Sequence, residues 1–526
     1  MSHRHAVIRL ALVALVCVCW SAPARAQSAT TFVGGLKAPS KLVLTNKGNL
    51  LVAESGQGPN TGRLSLVDRR TRQRRTILDG LPAGPTPEGG TSGPSGLALR
   101  GRTAYVVIGS GDAVTAGPAP GTERANPNPS SPILSSVLAV HAPANVEELT
   151  EGFALTAADH AALKGGQRLT LSNGQGDRLT VELVADFPDY VAEPRPDFAE
   201  NVRVSNPFGV AVSGHLLYVN DASHNLVRVV GLNTGAFATF ASFAPLTNPL
   251  PFGPPKIDYV PTHVRLFGDH LLVTNLTGFP FPAGAAEVRR VDTLTGQQQA
   301  TFIPGLTTAM DVLPVDVPGN VEKFLVLELS TNMTQNAPGR LLLFDSPTSP
   351  PAVLAAPLIG GTALSRDPQT GDIFVTELFT GRVMRVSHAR ALVRQHYQDF
   401  LRREPDAEGW NFWASQVEAC GTDAACAERK SVDVSRAFFY SVEFMSLHPE
   451  LHDSLRGTAA YNREFVRQCY FAYLRRACDP EVCDPEGFNF WVTKLNSRLP
   501  SLDADYNEMI RAFLNSVEHR ARLGLS

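Results

Sequence analysis

Six positions in this chain occupy one place in a repeating pattern, and five of them carry a side-chain oxygen. They are Glu54, Asn220, Asn275, Glu328 and Glu377, with Ile108 as the sixth. Each ends a short apolar run, as in "LLVAE" (50–54), "LLVTN" (271–275) and "IFVTE" (373–377). Carboxylate and amide oxygens converging from several strands are what a hard cation such as Ca²⁺ binds. A polar residue at a strand end is also what a turn requires, because its oxygen can bond nearby backbone N–H groups. The feature belongs to the repeat rather than to one site, so the turn is the preferred reading. Ca²⁺ is the alternative, and no other cofactor is expected.

Other chemistry is sparser. His263 opens a blade beside Pro261, and "GFPFP" (278–282) offers Phe279 and Phe281 as candidates for a binding face. His215, His224 and His270 read as turn or surface histidines. No G-x-S-x-G elbow occurs, and "GTSGPSG" (90–96) and "GSGDAVTAG" (109–117) lack the Lys and helix of a phosphate loop. Six-bladed lactonases of the SMP-thirty/gluconolactonase type carry metal ligands where the first strand of a blade opens. The openings here are "PSKL", "PSGL", "PFGV", "PTHV", "AMDV" and "GTAL", in which only Asp311, with Asn206 just before Pro207, could serve.

The elements that position these residues recur six times: 39–68, 94–140, 207–230, 261–292, 309–345 and 363–387. Each copy has strand-like alternation, a Gly-containing turn, a second strand, a polar gap and a third strand. A fourth strand follows most copies, as in "RTILDGL" (75–81) and "ATFIPGL" (300–306). The sixth copy lacks one, whereas "ATTFVGGL" (29–36) has the same form and no blade of its own. The expected fold is mainly β: a six-bladed β-propeller over 27–388, closed by its N-terminal strand. An insertion at about 141–200 interrupts it, with a short helix capped by Thr156 and a hairpin turning near Asn173-Gly174.

The stretches "SNPFGVAV", "LLYVNDASHNLVRV" and above all "LTGFPFPAGAAEV" (276–288) resemble the ScyD/ScyE family of exported bacterial propellers, over roughly 28–388. That resemblance implies an exported propeller and carries no defined activity.

From 389 to 526 the pattern is helical and present twice. "LRREPDAEGWNFW" (401–413) returns as "LRRACDPEVCDPEGFNFW" (474–491), and "SRAFFYSVEF" (435–444) as "IRAFLNSVEH" (510–519). Two three-helix units forming a small all-α domain are expected. Asp406 and Asp484 would cap helices, Gly409 and Gly487 would permit close packing, and Trp413 and Trp491 would anchor the core. Cys478 with Cys483, and Cys420 with Cys426, frame short loops and suit disulfides. Cys469, aligned with His396, is left as a packed thiol, and no C-x-x-C spacing favours zinc. Both copies resemble the helical domain family catalogued as DUF-4214, which implies attachment or assembly rather than catalysis.

The first 26 residues have a basic start, an apolar run from Leu10 to Trp20, and Ala24-Arg25-Ala26, the form of a signal peptide cut after Ala26. No later segment is apolar enough to span a bilayer, so a periplasmic or extracellular bacterial protein is expected. A net charge of −3 with 18% charged residues offers no surface for nucleic acid. The function expected is binding of a small molecule or protein partner, with the helical module for attachment. A Ca²⁺-dependent hydrolase or lactonase and a cell-envelope scaffold are the alternatives.

Overall fold

The structure, a computed structural model, describes residues 29–315, 323–421, 423–476, 478–497 and 499–522. The expected signal peptide lies outside the described residues. Six antiparallel sheets form the blades of a propeller. Their first strands are Pro39–Leu44, Pro94–Arg100, Pro207–Ser213, Pro261–Phe267, Ala309–Val315 and Gly361–Arg366. These six surround the axis. Their second strands end at Glu54, Ile108, Asp221, Asn275, Glu328 and Glu377.

The strand Thr30–Val33 pairs antiparallel with Arg382–Val386 and becomes the outer strand of blade six. Closure therefore uses the chain's own N-terminal strand, as its unclaimed fourth-strand pattern requires. Each blade junction holds an apolar core of its own, because successive strand residues alternate between the two neighbouring blades. Leu51, Leu64 and Val106 fill the junction of blades one and two, and Phe32, Leu42 and Phe374 fill the ring-closing junction of blades six and one.

The stretch 141–200 is only partly decoration. Arg178–Asp186 pairs with Ser136–His141 as the fourth strand of blade two, and Leu169–Ser172 adds a fifth. Phe153–Ala154 runs parallel to the outer strand of blade one. The helix Ala157–Lys164 between them is capped by Thr156, whose Oγ1 accepts from the Asp159 N–H.

The helical region starts one residue after the last strand, with Ser387 capping His388–Phe400. Both copies contribute to one core, including Tyr397, Phe438 and Phe439 from the first and Phe465, Tyr473 and Phe513 from the second. Asp406 and Asp484 cap their helices by accepting from the Gly409 and Gly487 N–H groups at 2.7 and 3.1 Å. A Cβ on Gly487 would lie 2.6 Å from the Tyr470 hydroxyl, and one on Gly409 would collide with that of Tyr397. The glycine is thus where a tyrosine of the first helix lies against the second. Trp413 and Trp491 pack partly buried on this core. Cys420–Cys426 and Cys478–Cys483 are disulfides, and Cys469 is a buried free thiol whose pKa burial pushes well up. Among the described residues no helix is long and apolar enough to cross a membrane.

Candidate functional site

The register of the first two strands shows where the proposed ring of oxygens lies in each blade. Pro39 pairs with Glu54, Pro261 with Asn275, Ala309 with Glu328 and Gly361 with Glu377. In blade three, Pro207 pairs with Asp221. Asp221 rather than Asn220 therefore holds the equivalent position, one residue along from the alignment read in the sequence.

All five side chains at that position are buried and engaged within their own blade. Glu328 accepts from the Thr307 N–H at 2.8 Å and Glu377 from the Ile359 N–H at 2.7 Å, each two residues ahead of its first strand. Glu54 accepts from the Lys37 N–H, the same place in blade one. Asn275 makes the bond with reversed polarity, donating to the Tyr259 carbonyl at 3.0 Å, while its oxygen accepts from the Glu287 N–H. Asp221 accepts from the Asn206 N–H at 2.9 Å and the Ser205 hydroxyl at 2.7 Å.

Each carboxylate also has an arginine of its own blade. Arg340 lies 2.6 Å from Glu328, Arg382 2.7 Å from Glu377, Arg228 2.9 Å from Asp221 and Arg74 3.7 Å from Glu54. Burial pushes the Asp221 pKa up, but bonds from His224, Ser205 and the Asn206 N–H outweigh it and hold the carboxyl well below the usual range. These oxygens are spent on fixing the blade openings, and their charge is balanced locally. Among the described residues no group of three or more His, Cys, Asp and Glu is arranged to hold a metal ion.

Asn220 belongs to a different ring. In four blades the second residue of the first strand bonds to the next blade. Ser40 donates to the Pro94 carbonyl, Ser95 to Pro207, Thr262 to Ala309 and Thr362 to Pro39, at 2.5–3.4 Å. In blade five that residue is Met310, and in blade three it is Phe208, neither with a hydroxyl. Asn220 replaces it, donating to the Pro261 carbonyl of blade four at 2.5 Å while accepting from the Gly209 N–H at 2.8 Å.

The third residue of each first strand faces the axis: Lys41, Gly96, Gly209, His263, Asp311 and Ala363. Three carry ionisable side chains and three are small. Lys41 Nζ lies 3.0 Å from Asp311 Oδ2 and 3.0 Å from His263 Nδ1. Two residues further on the same face, Arg265 donates to Asp311 Oδ1 at 2.9 Å. Asp311 also accepts from the Leu364 N–H at 3.1 Å, so blades one, four, five and six meet on one carboxylate. Gly209 makes room for this cluster, since a Cβ there would lie 2.9 Å from His263 Nδ1.

Beside the cluster is an axial cavity of about 180 Å³, lined by Lys41, Ala98, Ala211, His263, Arg265 and Ser365 among others. Burial pulls the Lys41 pKa down to about 8 despite the attraction of Asp311. Burial also holds His263 well below its usual range, and Asp311 stays ionised because the Arg265 and Lys41 cations outweigh its desolvation. At neutral pH the cluster is two cations, one carboxylate and a neutral imidazole. Arg265 Nε is buried and has no hydrogen-bond partner among the described residues. The sequence reading named His263 and Asp311 but not Lys41 or Arg265. The signal was the third letter of "PSKL", "PTHV" and "AMDV".

Phe279 and Phe281 lie elsewhere, on the loop between the second and third strands of blade four. Their rings meet edge to face at 6.2 Å, with Phe279 about half exposed. Neither lines the axial cavity. A second, polar cleft of about 320 Å³ on the loop-rich side includes Glu193, Arg203 and Asp258, which are paired with one another.

No protein-family model and no curated protein matches this chain. Among solved structures, an auxiliary nutrient binding protein from Bacteroides thetaiotaomicron is similar with a TM-score of 0.38 and 10% identity, covering 68% of this chain and 75% of that one. Its counterpart from Bacteroides ovatus gives 0.36 and 12%, with the same coverage. A putative oxidoreductase (glucose dehydrogenase) from Thermus thermophilus gives 0.33 and 15%, covering 68% and 98%. Likeness at this level bears on neither substrate nor activity.

Proposed function

We propose that this chain is an exported binding propeller that holds a small carboxylate or similar anion at its axis. The observation that carries the reading is the axial cluster, where two cations face one carboxylate and the buried Arg265 Nε–H lacks an acceptor beside a cavity. A buried donor without a partner marks where a ligand acceptor belongs. Lys41 stays mostly protonated at neutral pH, so it offers charge rather than a nucleophile. The cavity suits an anion of a few heavy atoms. Export is supported by the signal-like N-terminus, the ScyD/ScyE resemblance and two disulfides. The DUF-4214-like pair of helical units would attach the propeller to a partner or surface.

Calorimetry of the mature protein with acetate, lactate and succinate tests this. Saturable binding of at least one is expected, weakened at least tenfold in Lys41→Met and Arg265→Gln. Absence of saturable binding to all three, or binding unchanged in both variants, would overturn it.

A further inference from the structure

The repeat that builds the propeller also shows where one blade departs from it. Four residues before the end of each second strand, the side chain points back into the junction with the preceding blade. That residue is Leu50, Leu217, Leu271, Phe324 and Ile373 in five blades, all buried. In blade two it is Ala104. A cavity of about 200 Å³ lies at this junction, walled by Leu51, Leu64 and Leu66 of blade one and by Leu99, Ala104 and Val140 of blade two.

A strap roofs the cavity. Residues 142–149 cross from blade two toward blade one, with Ala142, Ala144 and Val146 lining the space. The strap is anchored at its far end by Leu149, buried in the core of the junction with Val146 packed against it, and along its length by polar contacts. Glu147 accepts from Thr45 at 3.0 Å and Asn49 at 2.8 Å, Glu148 pairs with Lys47 at 2.7 Å, and Arg75 donates to the Leu149 carbonyl. The Lys47–Glu148 pair is exposed, where it breaks and re-forms readily, and the other contacts are half-buried.

We infer that this cavity is a binding site for a compact apolar molecule about the size of one substituted aromatic ring, admitted when the strap lifts. Its walls are mostly apolar, with Thr45, Asn46, Lys47, Arg102 and Glu147 completing the lining. A leucine-to-alanine cavity of roughly 150 Å³ in another protein stays dry and binds benzene. Here the same truncation is written into the natural sequence at one blade in six and covered by a segment that latches. The site is separate from the axis, so the two readings fail independently.

The test uses the mature protein with toluene as probe, followed by calorimetry and thermal melting, and xenon-pressurised crystals to place the occupant. Expected are saturable toluene binding, a rise in melting temperature with toluene, and xenon between blades one and two. Ala104→Leu, which restores the residue type of the other blades, should abolish toluene binding and raise the melting temperature without ligand. Ala104→Val should weaken binding partially. Glu147→Ala should speed toluene exchange with affinity little changed, and Lys41→Met should leave toluene binding as it was. No saturable binding, or equal binding by wild type and both Ala104 variants, would overturn the inference.

Discussion

The adjacent residues Asn220 and Asp221 are both fully buried, yet their replacement should have different consequences. Asp221 accepts from Ser205, the Asn206 N–H, His224 and Arg228, all within 2.7–2.9 Å. Arg228 is itself buried, with its guanidinium 5.1 Å from the Phe187 ring and 5.8 Å from that of Phe237. Asp221→Ala would leave this cation without its counter-ion, at a cost of about 3–5 kcal/mol. Asn220→Ala leaves only neutral groups unpaired, the Gly209 N–H and the Pro261 carbonyl, and should cost about 2–3 kcal/mol.

Removing charge and counter-charge together separates the explanations. Asp221→Leu with Arg228→Met leaves no unpaired ion and should recover roughly half of the loss seen in Asp221→Leu alone. Urea denaturation followed by circular dichroism in the β region reads these differences. Tryptophan emission does not, because Trp410, Trp413 and Trp491 all lie in the helical region. A shift in that second signal would measure coupling between the two regions. Two results would refute the reasoning: Asp221→Ala costing no more than Asn220→Ala, or calcium stabilising the wild type but not Asp221→Ala.

Three further outcomes are expected. Lys41 has a pKa of about 8 in the fold against 10.5 for the free side chain, so between those values the unfolded chain binds more protons. The net cost of keeping it charged in the fold, about 3 kcal/mol, is then relieved as pH rises through that window, and anion affinity at the axis falls over the same range. Comparing the pH dependence of wild type with Lys41→Met checks both. Gly209→Ala would set a methyl against Asn220 and His263, costing about 1–3 kcal/mol and weakening carboxylate binding, as melting and calorimetry would show. Reduction opens two short loops, with sequence separations of 6 and 5, and should lower stability by about 2 kcal/mol per bridge, seen by tryptophan emission rather than by the β signal.

The propeller was legible because its signal is repeated: six in-phase copies overrule local ambiguity, and one unclaimed strand pattern at 29–36 could close only one ring. The slip in blade three has a local cause. "LLYVND" ends in two polar residues, so either can be placed against the proline by pattern alone. Hydrogen bonding decides, because Asn220 supplies the link that Phe208 cannot. The outer strands of blade two were hidden by the 36 residues between His141 and Arg178, a gap that reads as insertion until Arg178–Asp186 is seen beside Ser136–His141.

The axial cluster was harder to read. Lys41 and Asp311 are 270 positions apart, and their strands are buried on both faces, so alternation does not say which face meets the axis. A repeat nevertheless makes a charged residue at a position otherwise held by Gly or Ala conspicuous. It does the same for an alanine where every other blade has a large apolar side chain. Shared features of the blades thus explain the fold, as the oxygens at the strand ends do, while chemistry is to be sought where single blades depart from it, at Lys41, His263 and Asp311 and at Ala104.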